Sequence, residues 1–97
     1  MQNTGLLDSI NSVRGTAVEY SLPICMMVGL LGKEPNVQPK DSSRYGVRIV
    51  EPILDAMNVE HHLIESPSSI KKIRPAIDRA YERSSPMVLL VGQRLEL

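Results

Sequence analysis

The run Pro23-Ile24-Cys25-Met26-Met27-Val28-Gly29-Leu30-Leu31 decides the fold class. It is apolar without the alternation expected of a strand that has one face in water. A short, unbroken apolar run bounded by Pro and Gly is typical of a strand covered on both faces in a parallel sheet. The run Met87-Val88-Leu89-Leu90-Val91 has the same character. We therefore predict that both runs are interior strands of one parallel sheet.

The segment before the first strand has helical periodicity. Its apolar residues recur at spacings of 4, 3 and 4, which places on one helical face Leu6, Ile10, Val13 and Ala17. Asn3 or Thr4 is predicted to cap this helix. The helix should end near Tyr20, because Pro23 disfavours helical geometry at the residue before it.

Two further helices are predicted between the strands. The inward face of the second consists of Val50, Ile53, Leu54 and Met57, and that of the third consists of Ile70, Ile73, Ile77 and Tyr81. Either Ser42 or Ser43 caps the second helix early, or Pro52 lies in the first turn of a shorter helix, and a boundary or kink is predicted at Pro52. Ser66-Pro67 reads as a cap followed by the first helical residue of the third, which Pro75 should kink.

The order of elements is strand tip, helix, strand, helix, strand, helix, strand. This alternation indicates an α/β fold with a parallel sheet and right-handed crossovers. The short polar strand His61–Ile64 is predicted at the sheet edge, with Met87–Val91 between it and Ile24–Val28. We therefore expect residues 1–97 to form one flavodoxin-like partial domain, whose sheet has three strands plus the tip of a fourth at the Gln2–Gly5 turn.

Composition excludes several classes of function. Eleven basic residues balance eleven acidic ones, so no net charge draws the chain to nucleic acid or to a membrane surface. The longest apolar run, Leu22–Leu31, contains Pro23 and is much shorter than a membrane span of about 20 residues. Cys25 is the only cysteine, which suits a reducing cytoplasm, and its place in an apolar strand predicts a buried core thiol.

No complete catalytic constellation is evident in the residues. His61 and His62 are adjacent, so on a strand they point to opposite faces and cannot bind one metal ion together. Gly29 and Gly32 fit either a strand end that backbone or ligand approaches closely, or a simple turn. Gln38 lies in a long loop after the first strand, at the end of a parallel sheet where such folds place function.

The order of several motifs resembles a known family. The stretches are Gln2-Asn3-Thr4-Gly5-Leu6, Ser9-Ile10-Asn11, Tyr20-Ser21-Leu22-Pro23-Ile24, Leu31-Gly32-Lys33-Glu34, Val37-Gln38-Pro39, Pro52-Ile53-Leu54-Asp55-Ala56-Met57 and Pro86 through Val91. Together they are similar to the second half of the pyrimidine-binding domain of thiamine diphosphate-dependent decarboxylases, above all the alpha subunit of sulfopyruvate and phosphonopyruvate decarboxylases. Leu7 departs from the pattern, since the family has glycine there.

The resemblance implies a site, a cofactor and a partner. It implies that the cofactor is thiamine diphosphate with Mg²⁺, and that the residues facing it are Gln2, Asn3, Thr4, Gly5 and Gln38. The family's pyrimidine-binding glutamate belongs to the first half of the domain, and its metal- and diphosphate-binding motif has no match here. The resemblance therefore implies a diphosphate-binding domain or beta subunit as partner, a homo- or hetero-oligomer, and no lyase activity from this chain alone.

Two other interpretations stay open. The chain could be a catalytically inactive fragment or oligomerisation module, in which an uncovered sheet edge beside Ile24–Val28 binds a partner. It could also be a small flavodoxin-like domain that binds an unrelated phosphorylated ligand without any partner subunit. Sizing and ligand binding distinguish these two interpretations from the first.

Overall fold

The central strand of the sheet is β3 (Met87–Val91), in a computed structural model that describes residues 1–92. It pairs in parallel with β1 (Cys25–Gly29) on one side and with β2 (Glu60–Ile64) on the other. The strand order β1-β3-β2 is the predicted one, with the histidine-bearing strand at an edge. The chain is therefore an α/β protein with a three-stranded parallel sheet flanked by helices, as predicted.

Helices connect the strands in the predicted order. They are α1 (Asn3–Asp8), α2 (Ile10–Ser12) with a π-helical continuation (Val13–Val18), α3 (Tyr45–Arg48), α4 (Val50–Ala56) and α5 (Ile73–Arg83). Two 3₁₀ segments, Pro39–Asp41 and Pro67–Lys72, precede α3 and α5. The predicted first helix is thus interrupted at Ser9, whose backbone (φ −101°, ψ 6°) is not helical, and its helical part ends at Val18.

The first two residues lie beside β1 as the tip of a fourth strand. The Met1 nitrogen donates to the Met27 carbonyl at 3.0 Å, and the Gly29 N–H donates to the Met1 carbonyl at 2.7 Å. Gln2 forms a parallel bridge with Gly29. These contacts confirm the predicted strand tip, and α1 begins immediately afterwards, at Asn3.

The predicted cap of α1 is wrong. Gln2 occupies the capping position and makes no side-chain hydrogen bond there. Asn3 is buried, and its side-chain oxygen accepts a hydrogen bond from the Leu31 N–H at 3.0 Å. The Asn3 side chain therefore accepts from the Leu31 N–H and does not cap the helix. This hydrogen bond connects the start of α1 to the residues that follow β1.

The core is split between the two faces of the sheet. Even-numbered side chains of β1 and β3, such as Val28 and Leu90, pack with Leu6 and the α3–α4 helices. Odd-numbered side chains of β3, Met87 and Leu89, pack with Ile64 and the small residues of α5. Each face of the sheet is therefore shielded from water where a helix packs on it, which is the layered arrangement that a parallel sheet requires.

Cys25 corrects one prediction about β1. Its side chain is exposed, and so is that of Met27, two positions along the same face. The reason is the path of α5, which connects β2 to β3 and covers those two strands, while β1 lies beyond its reach. The prediction that β1 is covered on both faces is therefore wrong, and its apolar character is not explained by burial within this chain.

The later helices differ from prediction in two details. The second helical region breaks at Ile49, and Pro52 lies in the first turn of the shorter helix α4, where a missing N–H is tolerated, which confirms one of the two predicted alternatives. The α5 face that packs inward contains Ala76 and Ala80, whereas Tyr81 is 65% exposed because it falls beyond the edge of the buried stripe. Ile70 is also more exposed than predicted, since it lies in the 3₁₀ segment and not on the α-helical face.

Candidate functional site

A cavity opens at the carboxyl ends of β1 and β3. Its volume is about 580 Å³, and it is lined by Gln2, Gly29, Leu30, Leu31, Gly32, Lys33, Pro35, Val91 and Gly92. The cavity thus lies where the end of the strand tip, the start of the long loop after β1 and the end of β3 meet. Ligands of open parallel sheets bind at this edge, so the cavity is the candidate site.

The residues predicted from the resemblance are distributed around this edge. Gln2 lines the cavity, and its side chain is exposed. Asn3 is buried behind it and bonded to the backbone of Leu31. Thr4 and Gly5 are exposed in the first turn of α1, and a Cβ at Gly5 would contact the Met1 side chain at 3.6 Å.

Gln38 lies elsewhere in the loop that follows β1. It is exposed, and it precedes the 3₁₀ turn Pro39–Asp41, where its carbonyl accepts a hydrogen bond from the Asp41 N–H at 2.9 Å. Of the five residues that the resemblance pointed to, Gln2 alone is among those lining the described cavity. The functional assignments of all five stay predictions.

A buried ion pair crosses the end of β3 at one wall of the cavity. The side chain of Lys33 is fully buried, and its Nζ donates to Glu65 Oε2 at 3.0 Å and to the Glu34 carbonyl at 3.0 Å. Gly92 lies directly beneath, because an added Cβ there would come within 2.8 Å of the Glu65 Cγ and 3.2 Å of the Lys33 Cδ. Glycine at residue 92 therefore lets the pair join the loop after β1 to the loop after β2.

The loop after β1 is closed by a second polar cluster. Glu34 Oε1 accepts from Ser42 Oγ at 2.6 Å, and Glu34 Oε2 accepts from the Ser43 N–H at 2.9 Å and from Ser43 Oγ at 2.8 Å. These hydrogen bonds, led by that from Ser42, lower the pKa of Glu34 from 4.5 to about 2. The carboxylate thus holds the two ends of the loop together and fixes the cavity wall formed by Gly32, Lys33 and Pro35.

The two histidines of β2 point to opposite faces, as predicted. His61 faces α4, with its Nε2 3.1 Å from Glu51 Oε2 and its Nδ1 3.0 Å from the Val59 carbonyl. His62 faces α5, with its Nε2 2.9 Å from Glu60 Oε2. Among residues 1–92, no group of three or more His, Cys, Asp or Glu side chains is placed to hold a metal ion.

Arg79 completes the polar cluster on the α5 side of β2. It donates from Nε to Glu60 Oε1 and from Nη2 to Glu60 Oε2, each at 3.1 Å. The hydrogen bonding of Arg79 is the main reason that the pKa of Glu60 lies below its usual value, and the same pairing raises the pKa of Arg79. Arg79 is half-buried against β2.

Sequence reasoning missed the Lys33–Glu65 pair and the role of Gly92. The sequence did contain a signal for the pair. Lys33 and Glu65 have opposite charges, and each comes shortly after the end of a strand that was predicted to lie in the same parallel sheet. Carboxyl ends of parallel strands share one edge, which brings such residues together. Gly92 gave no comparable signal. Glycine is required there because side chains from two other loops approach its backbone too closely for a Cβ.

Comparison with known proteins adds no relative. No protein-family model matches the chain, and no curated protein matches it in sequence. The resemblance to thiamine diphosphate-dependent decarboxylases therefore stays a prediction that depends on the motifs.

Within residues 1–92, no helix combines the length and the apolar character needed to cross a membrane.

Proposed function

We propose that this chain contributes the pyrimidine-side wall of a thiamine diphosphate-dependent 2-oxo acid decarboxylase, at an active site completed by a partner subunit. The observation that carries the proposal is the cavity at the carboxyl edge of the parallel sheet, with Gln2 on its rim. The motif resemblance gives the cofactor class, and the strand order and the strand tip beside β1 agree with the half-domain that the resemblance implies.

The cavity suits the ring end of the cofactor. An added Cβ at Gly29 would meet only the Met1 carbonyl oxygen, at 3.8 Å, so the backbone there leaves room for a flat ring. Gly32 has φ +83°, a conformation that a side chain would strain, and it keeps the opposite wall free of a Cβ. The amide of Gln2 can both donate to and accept from the polar edge of an aminopyrimidine.

The diphosphate end is assigned to the partner. Among the described residues that line the cavity, the one cation is Lys33, whose Nζ is already bonded to Glu65 and to the Glu34 carbonyl. Neither a metal-binding cluster nor a free cationic pair is available along this wall of residues 29–35. In such enzymes the cofactor supplies an electron sink for decarboxylation. This chain's contribution is to orient the ring through Gln2 and to exclude water with Leu30, Leu31 and Val91.

Thiamine titration followed by amide NMR tests the proposal on the chain alone. Thiamine carries the pyrimidine ring without the diphosphate, so it probes only the wall that this chain provides. We expect saturable shifts at the amides of Gln2, Gly29, Gly32 and Gly92. The variant Gln2→Ala should weaken the binding about fivefold or more, the equivalent of one hydrogen bond of about 1 kcal/mol.

Asn11→Ala is the control, because Asn11 also has an exposed side-chain amide and lies outside the cavity lining and outside the five residues implied by the resemblance. It should leave the thiamine affinity unchanged. Shifts confined to other residues, or no saturable shift at all, would exclude this ring site. Equal loss in Gln2→Ala and Asn11→Ala would show that the cavity does not position the ring as proposed.

A second candidate function is that of an oligomerisation module, favoured by the exposed apolar flank of β1. Met27 is 57% exposed in a strand whose sequence is that of an interior one. Exposed apolar surface at a sheet edge is typical of an interface. Light scattering tests it, since a monomer at every concentration excludes this function.

A further inference from the structure

Asn3 is a buried polar residue that uses only half of its side chain within the fold. It is 6% exposed, and its Oδ1 accepts from the Leu31 N–H at 3.0 Å, which fixes the amide because only the oxygen can accept. The Nδ2 group therefore points the other way, and within residues 1–92 it has no hydrogen-bond partner. It also keeps contact with solvent, since no unpartnered side-chain atom of the described chain is fully buried. This donor is open to a ligand.

The open donor of Asn3 faces the segment that begins α3. A Cβ at Gly46 would lie 3.1 Å from Asn3 Nδ2, so glycine there makes room for the amide. Two residues earlier, the Arg44 side chain lies against Gly32, where an added Cβ would come within 3.2 Å of Arg44 Nε and 3.5 Å of its Cδ. The amide of Asn3 and the side chain of Arg44 therefore contact the same two segments, residues 31–32 after β1 and residues 44–46.

The Arg44 guanidinium has no carboxylate to bind at this junction. Within residues 1–92 the Arg44 side chain makes no hydrogen bond or ion pair, and its backbone N–H donates to Ser42 Oγ. Glu34, the carboxylate of the preceding loop, bonds to Ser42 and Ser43 and not to Arg44. Residues 28–33 and 44–50 contain no Asp or Glu. A negatively charged group at this junction would therefore meet an unpaired cation and no neighbouring acid from these two segments.

We propose that Asn3 Nδ2 and the Arg44 guanidinium together bind an oxyanion, a carboxylate or a phosphate group, at the junction of residues 31–32 with α3. An amide nitrogen and a guanidinium offer only donors, so the pair selects an anion over a cationic ligand. Glycine at residues 32 and 46 makes room for the two side chains. The inference does not rest on the proposed function, because Asn3 and Arg44 lie outside the lining of the cavity.

Titration with sodium phosphate, followed by amide NMR, tests the site on the native chain. Sodium chloride keeps the ionic strength constant, so that general screening of charge does not change during the titration. We expect saturable shifts at the backbone amides of Leu31, Gly32 and Gly46 and at the side-chain NH₂ of Asn3. Sodium acetate in a parallel titration distinguishes a carboxylate ligand from a phosphate. Binding of either anion at these groups supports the proposal, and no saturable shift with both overturns it.

Two variants remove one donor each. Asn3→Asp keeps an oxygen that accepts from the Leu31 N–H and replaces the open donor with a second carboxylate oxygen, which repels an anion. Arg44→Gln removes the charge. Each should weaken anion binding about tenfold or more, as expected for loss of one hydrogen bond to a charged group. Arg48→Gln is the matched control, because it removes an exposed arginine of the same helix whose guanidinium lies 5.0 Å from the Tyr45 ring centroid. It should change the affinity less than about twofold, since a charge outside the site acts only through a screened field.

The Leu31 amide separates a loss of binding from a loss of structure. Weaker anion binding by Asn3→Asp, with the Leu31 amide shift of the free protein retained, supports the proposal. Native-like binding by Asn3→Asp or by Arg44→Gln overturns it, as does an equal loss in Arg48→Gln, which would show that overall charge attracts the anion. If Asn3→Asp does not fold, the comparison of Arg44→Gln with Arg48→Gln decides. The thiamine titration with Gln2→Ala is a separate measurement, so failure of either proposal leaves the other standing.

Discussion

Three paired residues, one from each strand, form a row across the sheet, and the residues at its two ends differ in chemistry and exposure. Leu89 is buried at its centre, with Met27 of β1 on one side and His62 of β2 on the other. The Nε2 atom of His62 lies 2.9 Å from Glu60 Oε2 and 3.2 Å from Nη2 of Arg79, which belongs to α5. Met27 is 57% exposed and uncharged. The two edge strands therefore differ in chemistry although they pair with the same central strand.

The β2 side shows how an edge strand is kept from pairing with other chains. Its first three side chains are charged or polar and lie on both faces: His61 bonds to Glu51 of α4, and Glu60 and His62 bond to Arg79 of α5. Inward-pointing charged groups are a usual means of protecting a sheet edge. The β1 side has no such groups, and only the two residues of the strand tip cover its edge. An edge strand with an interior sequence is the observation behind the proposed oligomerisation function.

The Lys33–Glu65 pair connects the two sides of the sheet, and breaking it should have the largest effect. Lys33→Met removes a fully buried ammonium that bonds to Glu65 Oε2 and to the Glu34 carbonyl, each at 3.0 Å. Loss of one partner of a buried pair costs about 3 kcal/mol. Urea unfolding should show that loss, with Lys72→Met, at an exposed lysine, as the control. A loss below about 1 kcal/mol would mean that the two loops are held together by other contacts.

Removing the guanidinium on the β2 side should have an intermediate effect. Arg79→Met deletes three hydrogen bonds to Glu60, of which the two shorter are 3.1 Å long. Because Arg79 is about a third exposed, we expect a loss of stability smaller than that of Lys33→Met, since solvent weakens exposed charge pairs. Arg74→Met, at an exposed position of the same helix, should unfold like the native chain. Equal stability of the two variants would show that β2 does not depend on its charged cluster.

The loop after β1 contains a carboxylate with a lowered pKa, so low pH should weaken this loop in particular. Glu34 closes the long loop after β1, and its pKa in the fold is about 2, against 4.5 as its ordinary value. Its carboxylate therefore stabilises the fold fully above about pH 4.5, and this contribution is lost as the pH falls toward 2.

Glu34→Gln should accordingly be less stable than the native chain at neutral pH and approach it in acid. Urea midpoints measured between pH 7 and pH 2.5 give the comparison. Asp8→Asn, an exposed carboxylate on α1, controls for the loss of one acid. A stability difference between Glu34→Gln and the native chain that does not change across this range would contradict the proposed role of the Ser42 and Ser43 bonds.

The sequence predicted the layers well, because apolar periodicity reports burial directly. Val28, Leu54 and Leu90 are buried as the pattern requires, and the order of the strands follows from which runs are apolar and which carry histidines. Cys25 was predicted to be buried for the same reason, and that prediction is wrong. Periodicity records which side chains avoid water, and it cannot tell whether the covering surface belongs to the same chain.

The candidate site was less predictable than the fold. Gln2 could be placed at the sheet edge from the turn that it begins, and Gly29 from the strand that it ends. The buried state of Lys33 depends on Glu65 and Gly92, which come from two other loops. Contacts between loops depend on three-dimensional approach distances of a few ångströms, and a linear pattern does not contain them.

The smallest expected effect is the sharpest test of the difference between the two sides. Met27→Ala should change the unfolding free energy of the dilute, monomeric chain by no more than about 0.5 kcal/mol, because an exposed side chain has little packing to lose. Leu89→Ala, its buried neighbour in the same row, should cost about 3 kcal/mol.

The concentration of the chain changes only one of these values. If β1 is completed by another copy, Met27→Ala becomes destabilising relative to the native chain as the concentration rises, since the native chain gains stability from association. The cost of Leu89→Ala comes mainly from the monomer core and should persist at every concentration. A large loss for Met27→Ala in the dilute chain would show that β1 is already covered within one molecule, and the contrast between the two edges would then disappear.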